Sequence, residues 1–180
     1  ALFHHDRVRL AWLPARGGPP LARFRGRARV RSFLAEVSAA PEEGTTDHVR
    51  DLVRLVATLR AKGRAVLVSD FFDPAGAIRG LSLLKAHGQE VGAIHVVDPE
   101  DAEIPPDASV VAVDRETGAR LLVDPTPELA DRVRRAWTNR AAALEHWCLA
   151  RQIRSLRVDA QASLWDVLKD LLRPREVPRR

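Results

Sequence analysis

Two short apolar runs constrain this chain most. Ala65 to Val68 lies between Gly63 and Asp70, and Val91 to Val97 lies between Gly88 and Asp98. Bounded by turn residues, such runs suit strands buried on both faces of a parallel sheet. Between them Pro74 opens a helix whose stripe is Ile78, Leu81 and Leu84, and Gly88 closes it. Alternating helix and strand argues for an α/β fold with parallel strands and right-handed crossovers.

The flanking segments extend the pattern. Residues 7–13 alternate, with Val8, Leu10 and Trp12 on one face and Arg7, Arg9 and Ala11 on the other. That is the period of a half-buried strand. Arg16-Gly17-Gly18 signals a turn, and Leu21 to Phe24 returns as its hairpin partner. Val30, Phe33, Leu34 and Val37 recur at helical spacing. Asp47 then caps a helix with Val49, Leu52, Val53, Val56 and Leu59 inward, ending at Gly63.

Downstream, a β-hairpin is expected near 109–124, turning at Glu116-Thr117-Gly118. Thr126-Pro127-Glu128 starts a long helix reaching about Gln152, with Leu129, Val133, Trp137, Leu144 and Trp147 inward. A last strand spans 155–159. Ser163, with Asp166 three residues on, caps a final helix facing inward through Leu164, Val167, Leu168 and Leu171. All four tryptophans fall at core-facing positions.

Composition excludes several classes. At 180 residues and 46% hydrophobic, the chain can build a core and is not a disordered segment. No run approaches the roughly 20 apolar residues of a membrane helix, and no signal peptide opens the chain. Cys148 is the lone cysteine, so an internal disulfide is excluded, and it reads as a small packing residue. A cytoplasmic location is expected from these features. The net charge is +5, and every basic residue except Lys62, Lys85 and Lys169 is arginine. Arg7, Arg9, Arg16, Arg23, Arg25, Arg27, Arg29 and Arg31 fall in one acid-free stretch, and residues 173–180 form a basic tail. No aromatic residues interleave with these arginines as stacking platforms, so nucleic acid is not the expected partner.

In open α/β sheets, ligands bind beyond the carboxyl ends of the strands. Three features map there: residues 69–73 (Ser69, Asp70, Phe71, Phe72, Asp73), Asp98, and the loop Gly44-Thr45-Thr46-Asp47. Their carboxylates and hydroxyls are hard oxygen donors suited to Mg²⁺. The competing reading makes Asp70 and Asp73 caps for the helix that Pro74 opens. No dinucleotide fingerprint, Walker-type loop or nucleophile elbow is present. The six histidines show no metal-ligand spacing.

The order of VLVSDFF, then GLSLLKAHGQEVGAIHVVDPEDAEIP, then VVAVDRETGARLLVD, then LRVDAQASLWDVLKDLL resembles the domain-of-unknown-function family 58 (DUF58). That family looks like a branch of the von Willebrand factor type A fold. The resemblance runs from about Asp6 to Leu172. It implies one doubly wound, mostly parallel, Rossmann-like three-layer domain over 1–172, lacking its first strand, with the 109–124 hairpin inserted. That strand is central in the fold, so its loss leaves a gap between RVRLAWL and RAVLVSD; ALFHHD then reads as the end of the first helix.

The resemblance also implies a site. Thr45 and Asp70 match the second and third loops of a metal-ion-dependent adhesion site for Mg²⁺ or Mn²⁺. The first-loop D-x-S-x-S is absent, so this chain is not expected to bind the metal tightly. The implied role is a non-catalytic bacterial protein-binding module that partners a MoxR-type AAA+ ATPase in protein assembly or maturation. The alternative is a Mg²⁺-dependent phosphoester hydrolase using Asp70 and Asp73, with Asp98 nearby.

Overall fold

A computed structural model describes residues 1–4, 6–13, 22–40, 48–105, 109–114, 118–163, 165–167 and 169. The chain divides into two compact units, Ala1–Ala61 with Val113–Arg120, and Lys62–Ala112 with Leu121–Arg180. The turn at Arg16, the cap at Asp47, the Glu116-Thr117 pair and the basic tail lie outside the described residues.

In the first unit a 3₁₀ turn at Leu2–His4 stands where the end of a helix was expected. Strands β1 (Arg7–Leu10) and β2 (Ala22–Arg25) pair antiparallel. Val8 stands opposite Phe24 and Leu10 opposite Ala22. Because side chains alternate across a strand, the opposite face carries Arg7 against Arg25 and Arg9 against Arg23. Phe24 is buried and meets Phe33 edge-on, 5.3 Å between rings. Phe33 belongs to α1 (Val30–Ser38), whose Leu34 and Val37 stay exposed. Helix α2 (His48–Thr58) buries Leu52 and leaves Val53 exposed. It stops short of Gly63: the Leu59 N–H takes the Val56 carbonyl, tightening the last turn.

The second unit is built on a parallel sheet in the order β3-β4-β7, from β3 (Arg64–Ser69), β4 (Glu90–Val97) and β7 (Arg154–Asp159). Helix α3 (Pro74–Ala86) joins β3 to β4, and α4 (Pro127–Ala150) precedes β7. Strands β5 (Val110–Val113) and β6 (Arg120–Val123) form a separate two-stranded sheet, as the hairpin expectation required. The Asp114 N–H bonds the Ala119 carbonyl across its end, and Gly118 supplies the positive φ of 72°.

Both crossovers step the same way across the sheet. Right-handed connections then set α3 and α4 on one face. Leu67, Val91 and Ala93 are buried toward that face, with Ala77, Leu81 and Leu84 of α3 and Ala141, Leu144 and Cys148 of α4. On the alternate positions of β3, Val66 and Val68 are 53% and 57% exposed. The expectation that this run is buried on both faces therefore fails for β3. An apolar run reports that a strand can be covered, not that both covering layers are supplied.

The caps follow the sequence. Thr126 Oγ1 accepts from Leu129 N at 3.2 Å and starts α4. Ser163 Oγ accepts from Asp166 N at 3.3 Å and donates to Asp166 Oδ2 at 2.6 Å. Cys148 is fully buried, and burial pushes its thiol up, as a packing residue should. Trp165 departs from expectation: it is 75% exposed, while Trp12, Trp137 and Trp147 are half-buried. Of the stripe read along α4, Leu144 alone is fully buried; the helix turns Ala141 and Cys148 inward beside it.

The uneven burial of β3 has a direct test. Leu67→Ala should cost about 2–5 kcal/mol in urea unfolding, as for a core leucine. Val68→Thr, one residue on, should stay within about 0.5 kcal/mol. Equal losses at the two positions would mean that both faces are covered.

Candidate functional site

The parallel strands deliver three aspartates to their carboxyl ends. Each accepts a backbone N–H two residues on: Asp70 from Phe72 at 3.1 Å, Asp98 from Glu100 at 3.0 Å, and Asp159 from Gln161 at 2.8 Å. Turning the chain out of a strand exposes backbone donors, and a short carboxylate at that point satisfies one of them. Gln161 Nε2 then donates to Glu100 Oε1 at 3.2 Å, linking the turns after β4 and β7.

The turn after β3 is the most constrained. Ser69 Oγ accepts from Phe71 N at 3.0 Å. Phe71 sits at φ 50°, a left-handed conformation that a bulky residue adopts only when its surroundings hold it there. What holds it is burial: Phe71 is 1% exposed, and its ring meets His95 of β4 edge-on at 5.6 Å between centroids. The adjacent Phe72 consequently faces outward, 71% exposed, with the Arg140 guanidinium from α4 stacked 4.4 Å from its ring. One phenylalanine therefore anchors the turn, and the other presents an aromatic face beside Asp70.

His95 occupies the same cross-strand row as Ser69 and Arg157. Desolvation by burial holds its imidazole below the ordinary value, opposed by a hydrogen bond to the Asp70 backbone carbonyl. The positive charges of Arg157 and Arg140 lower it further, and the Asp70 charge raises it. A small cavity beside it is lined by Ala141, Leu144 and Glu145 of α4 and by Ser155 and Arg157 of β7.

The two caps proposed for α3 separate here. Asp73 occupies the N-cap position but makes no side-chain cap bond. Its carboxylate instead crowds Gly76, where an added Cβ would fall 2.2 Å from Oδ2. Asp70 is spent on the turn, not on the helix. Thr45, with Thr46 and Asp47, lies outside the described residues. Among the described residues no three His, Cys, Asp or Glu side chains gather as a metal group. Asp70, Asp73 and Asp98 are therefore not brought together around one ion, and Asp70 is the one described member of the Thr45–Asp70 pair.

Sequence reasoning passed over His95, which shows no metal-ligand spacing, and had no signal for Arg140, which joins the site only because α4 returns over the sheet. It also passed over Asp51 of α2. That carboxylate is fully buried, takes Arg50 Nε at 3.4 Å on one oxygen, and leaves the other without a hydrogen bond among the described residues.

Fold and site together define an α/β protein with a parallel sheet whose strand ends carry aspartates. Residues 6–146 match the family described as "Protein of unknown function DUF58". The match covers more than half of the chain, and the chain belongs to this family. The Uncharacterized protein Rv1480 of Mycobacterium tuberculosis is 37% identical over 121 residues, covering 63% of this chain and 35% of the relative. The Uncharacterized protein Mb1516 of Mycobacterium bovis matches to the same extent. The Uncharacterized protein MAV169 of Mycobacterium avium is 38% identical over 96 residues, 53% of each chain. The chain thus spans about a third of the length of the first two relatives. No solved structure matches it. Among the described residues no helix is long and apolar enough to cross a membrane.

The shifted imidazole fixes a pH dependence. His95 binds its proton more weakly folded than unfolded, so its contribution to stability is complete above about pH 6.5, the ordinary value, and is lost as the pH falls from there toward the lowered one. Thermal midpoints measured from pH 8 to 5 should drop through this window. His95→Gln should flatten that part of the curve; an unchanged slope would assign the loss to other groups.

Proposed function

We propose that this chain is a non-catalytic protein-interaction module of the von Willebrand factor type A kind, acting with a MoxR-type AAA+ ATPase in protein assembly or maturation. One observation carries the reading: at the carboxyl end of β3, Phe72 is 71% exposed with Arg140 stacked on it, next to the exposed carboxylate of Asp70. Aromatic residues and arginine dominate binding energy at protein interfaces, because they bury large rigid surfaces at little entropic cost. Aspartate beside them gives the surface a directional acceptor. The partner assignment comes from the family resemblance, and the location of the contact comes from this geometry.

The adhesion-site part of the reading gives Asp70 and Thr45 to one ion. Asp70 Oδ1 is already engaged by Phe72 N and Ser69 Oγ. The described residues add no further carboxylate or imidazole to form a metal group. They do not by themselves fit a resident ion, so the docking role is assigned to the protein surface and no step is routed through a metal.

Co-precipitation with a MoxR-type ATPase from the same genome is the test. Phe72→Ala and Asp70→Asn should each weaken retention at least tenfold while leaving the thermal midpoint close to that of the parent, since both side chains are exposed and asparagine keeps the acceptor for the Phe72 N–H. Normal retention by both variants would sink the strand-end reading. Calorimetry with Mg²⁺ and Mn²⁺ on the 180-residue chain should show no tight site; a tight site abolished by Asp70→Asn would restore the metal-dependent form.

A further inference from the structure

The first unit carries a feature that the strand-end site does not use. The β1–β2 register places Arg7 opposite Arg25 and Arg9 opposite Arg23, four like charges on one face of a two-stranded ribbon. Like charges directly opposite destabilise an antiparallel pair. None of these four makes an ion pair with a described residue, and the same holds for Arg60 beyond the end of α2. All five are exposed. Arg9, Arg23 and Arg60, with Ala57 and Thr58, line a cavity of about 510 Å³. Three arginines from three separate segments therefore line one concave volume with no anion supplied by the described residues.

We propose that this cavity binds a compact multivalent phosphate anion of the oligophosphate class. Guanidinium forks match phosphate oxygens two at a time, so arginine is the residue suited to such a ligand. The volume lies within the range of small-molecule sites, about 300–1,000 Å³. Among the described residues no aromatic side chain lines it, and the phosphate chain is the part recognised. Arg7 and Arg25 sit two register positions away on the same face and extend the positive field beyond the cavity. A bound anion also removes the repulsion that the bare ribbon stores. The proposal is independent of the docking face at Asp70 and Phe72, since no residue is shared.

Calorimetry on the 180-residue chain at fixed low ionic strength, with inorganic tripolyphosphate, ATP and sulfate as probes, is the experiment. Tripolyphosphate and ATP should each bind at least tenfold more tightly than sulfate. The tighter of the two identifies the source, inorganic chain or nucleotide. Arg23→Gln and Arg60→Gln should each weaken both at least tenfold. Circular dichroism should be unchanged in both, and without ligand Arg23→Gln should raise the thermal midpoint by relieving the repulsion with Arg9. Arg60→Gln lies outside the ribbon, so it reads the cavity even if the ribbon variant misfolds. Affinity no better than for sulfate, or unchanged in both variants, overturns the proposal. So does preferential binding of single-stranded oligonucleotides with affinity rising with length, which would mean an extended nucleic-acid track.

Discussion

The handedness of two crossovers decides most of what this chain can do. A right-twisted strand feeding a helix returns to a parallel neighbour in one sense only. Since β3, β4 and β7 lie in sequence order across the sheet, α3 and α4 must share a face. Burial follows: Leu81 and Leu84 from one helix and Ala141, Leu144 and Cys148 from the other close over Leu67 and Ala93. The strand ends follow too. Parallel strands finish on the same edge, so Asp70, Asp98 and Asp159 arrive there together without any local sequence signal linking them. Arg140 arrives there because α4 crosses back over the same face and stacks on Phe72.

That dependence explains which parts were legible. Strands and helices were, because period and capping are local: Thr126 before Pro127 and Ser163 before Asp166 each state their role within four residues. The cross-strand arginine face was half legible, since alternation alone puts Arg7 and Arg9 on one side. Its cavity was not, because Arg60 joins only through packing within the unit. Three readings failed for the same reason. Val66 and Val68 are not covered, Trp165 does not face inward, and the competing reading of Asp70 and Asp73 as caps of α3 finds no side-chain cap bond at Asp73 and Asp70 bound to the turn. Apolarity, size and charge sign do not encode whether a second layer exists or which of two neighbouring acids a turn will use.

Phe71 shows how a local rule is overruled. Propensity gives no reason for a bulky residue at φ 50°. The turn accepts it because the ring fills the space against His95, and Ser69 takes the backbone N–H that the conformation frees. Strain held by packing makes the turn rigid, and rigidity fixes Phe72 outward. An exposed aromatic on a mobile loop loses entropy on binding that one on a locked turn does not. Burial of one phenylalanine is thus what makes the other useful as a contact.

The two candidate surfaces differ in charge logic, and that difference separates their ligands. At the strand ends cations and anions are interleaved: Arg140 and Arg157 stand near Asp70 and Glu145, and burial and the arginines push the His95 imidazole below its ordinary value. A mixed surface of this kind selects a partner by shape and by paired polar contacts, as protein interfaces do. On the β1–β2 ribbon the arginines face one another with no described acid among them. A field of one sign discriminates by ligand charge before shape, and it is screened by salt where mixed surfaces are less affected. A protein partner and a phosphate anion are therefore not competing interpretations of a single site. They are the ligand classes that two physically different surfaces of one chain call for.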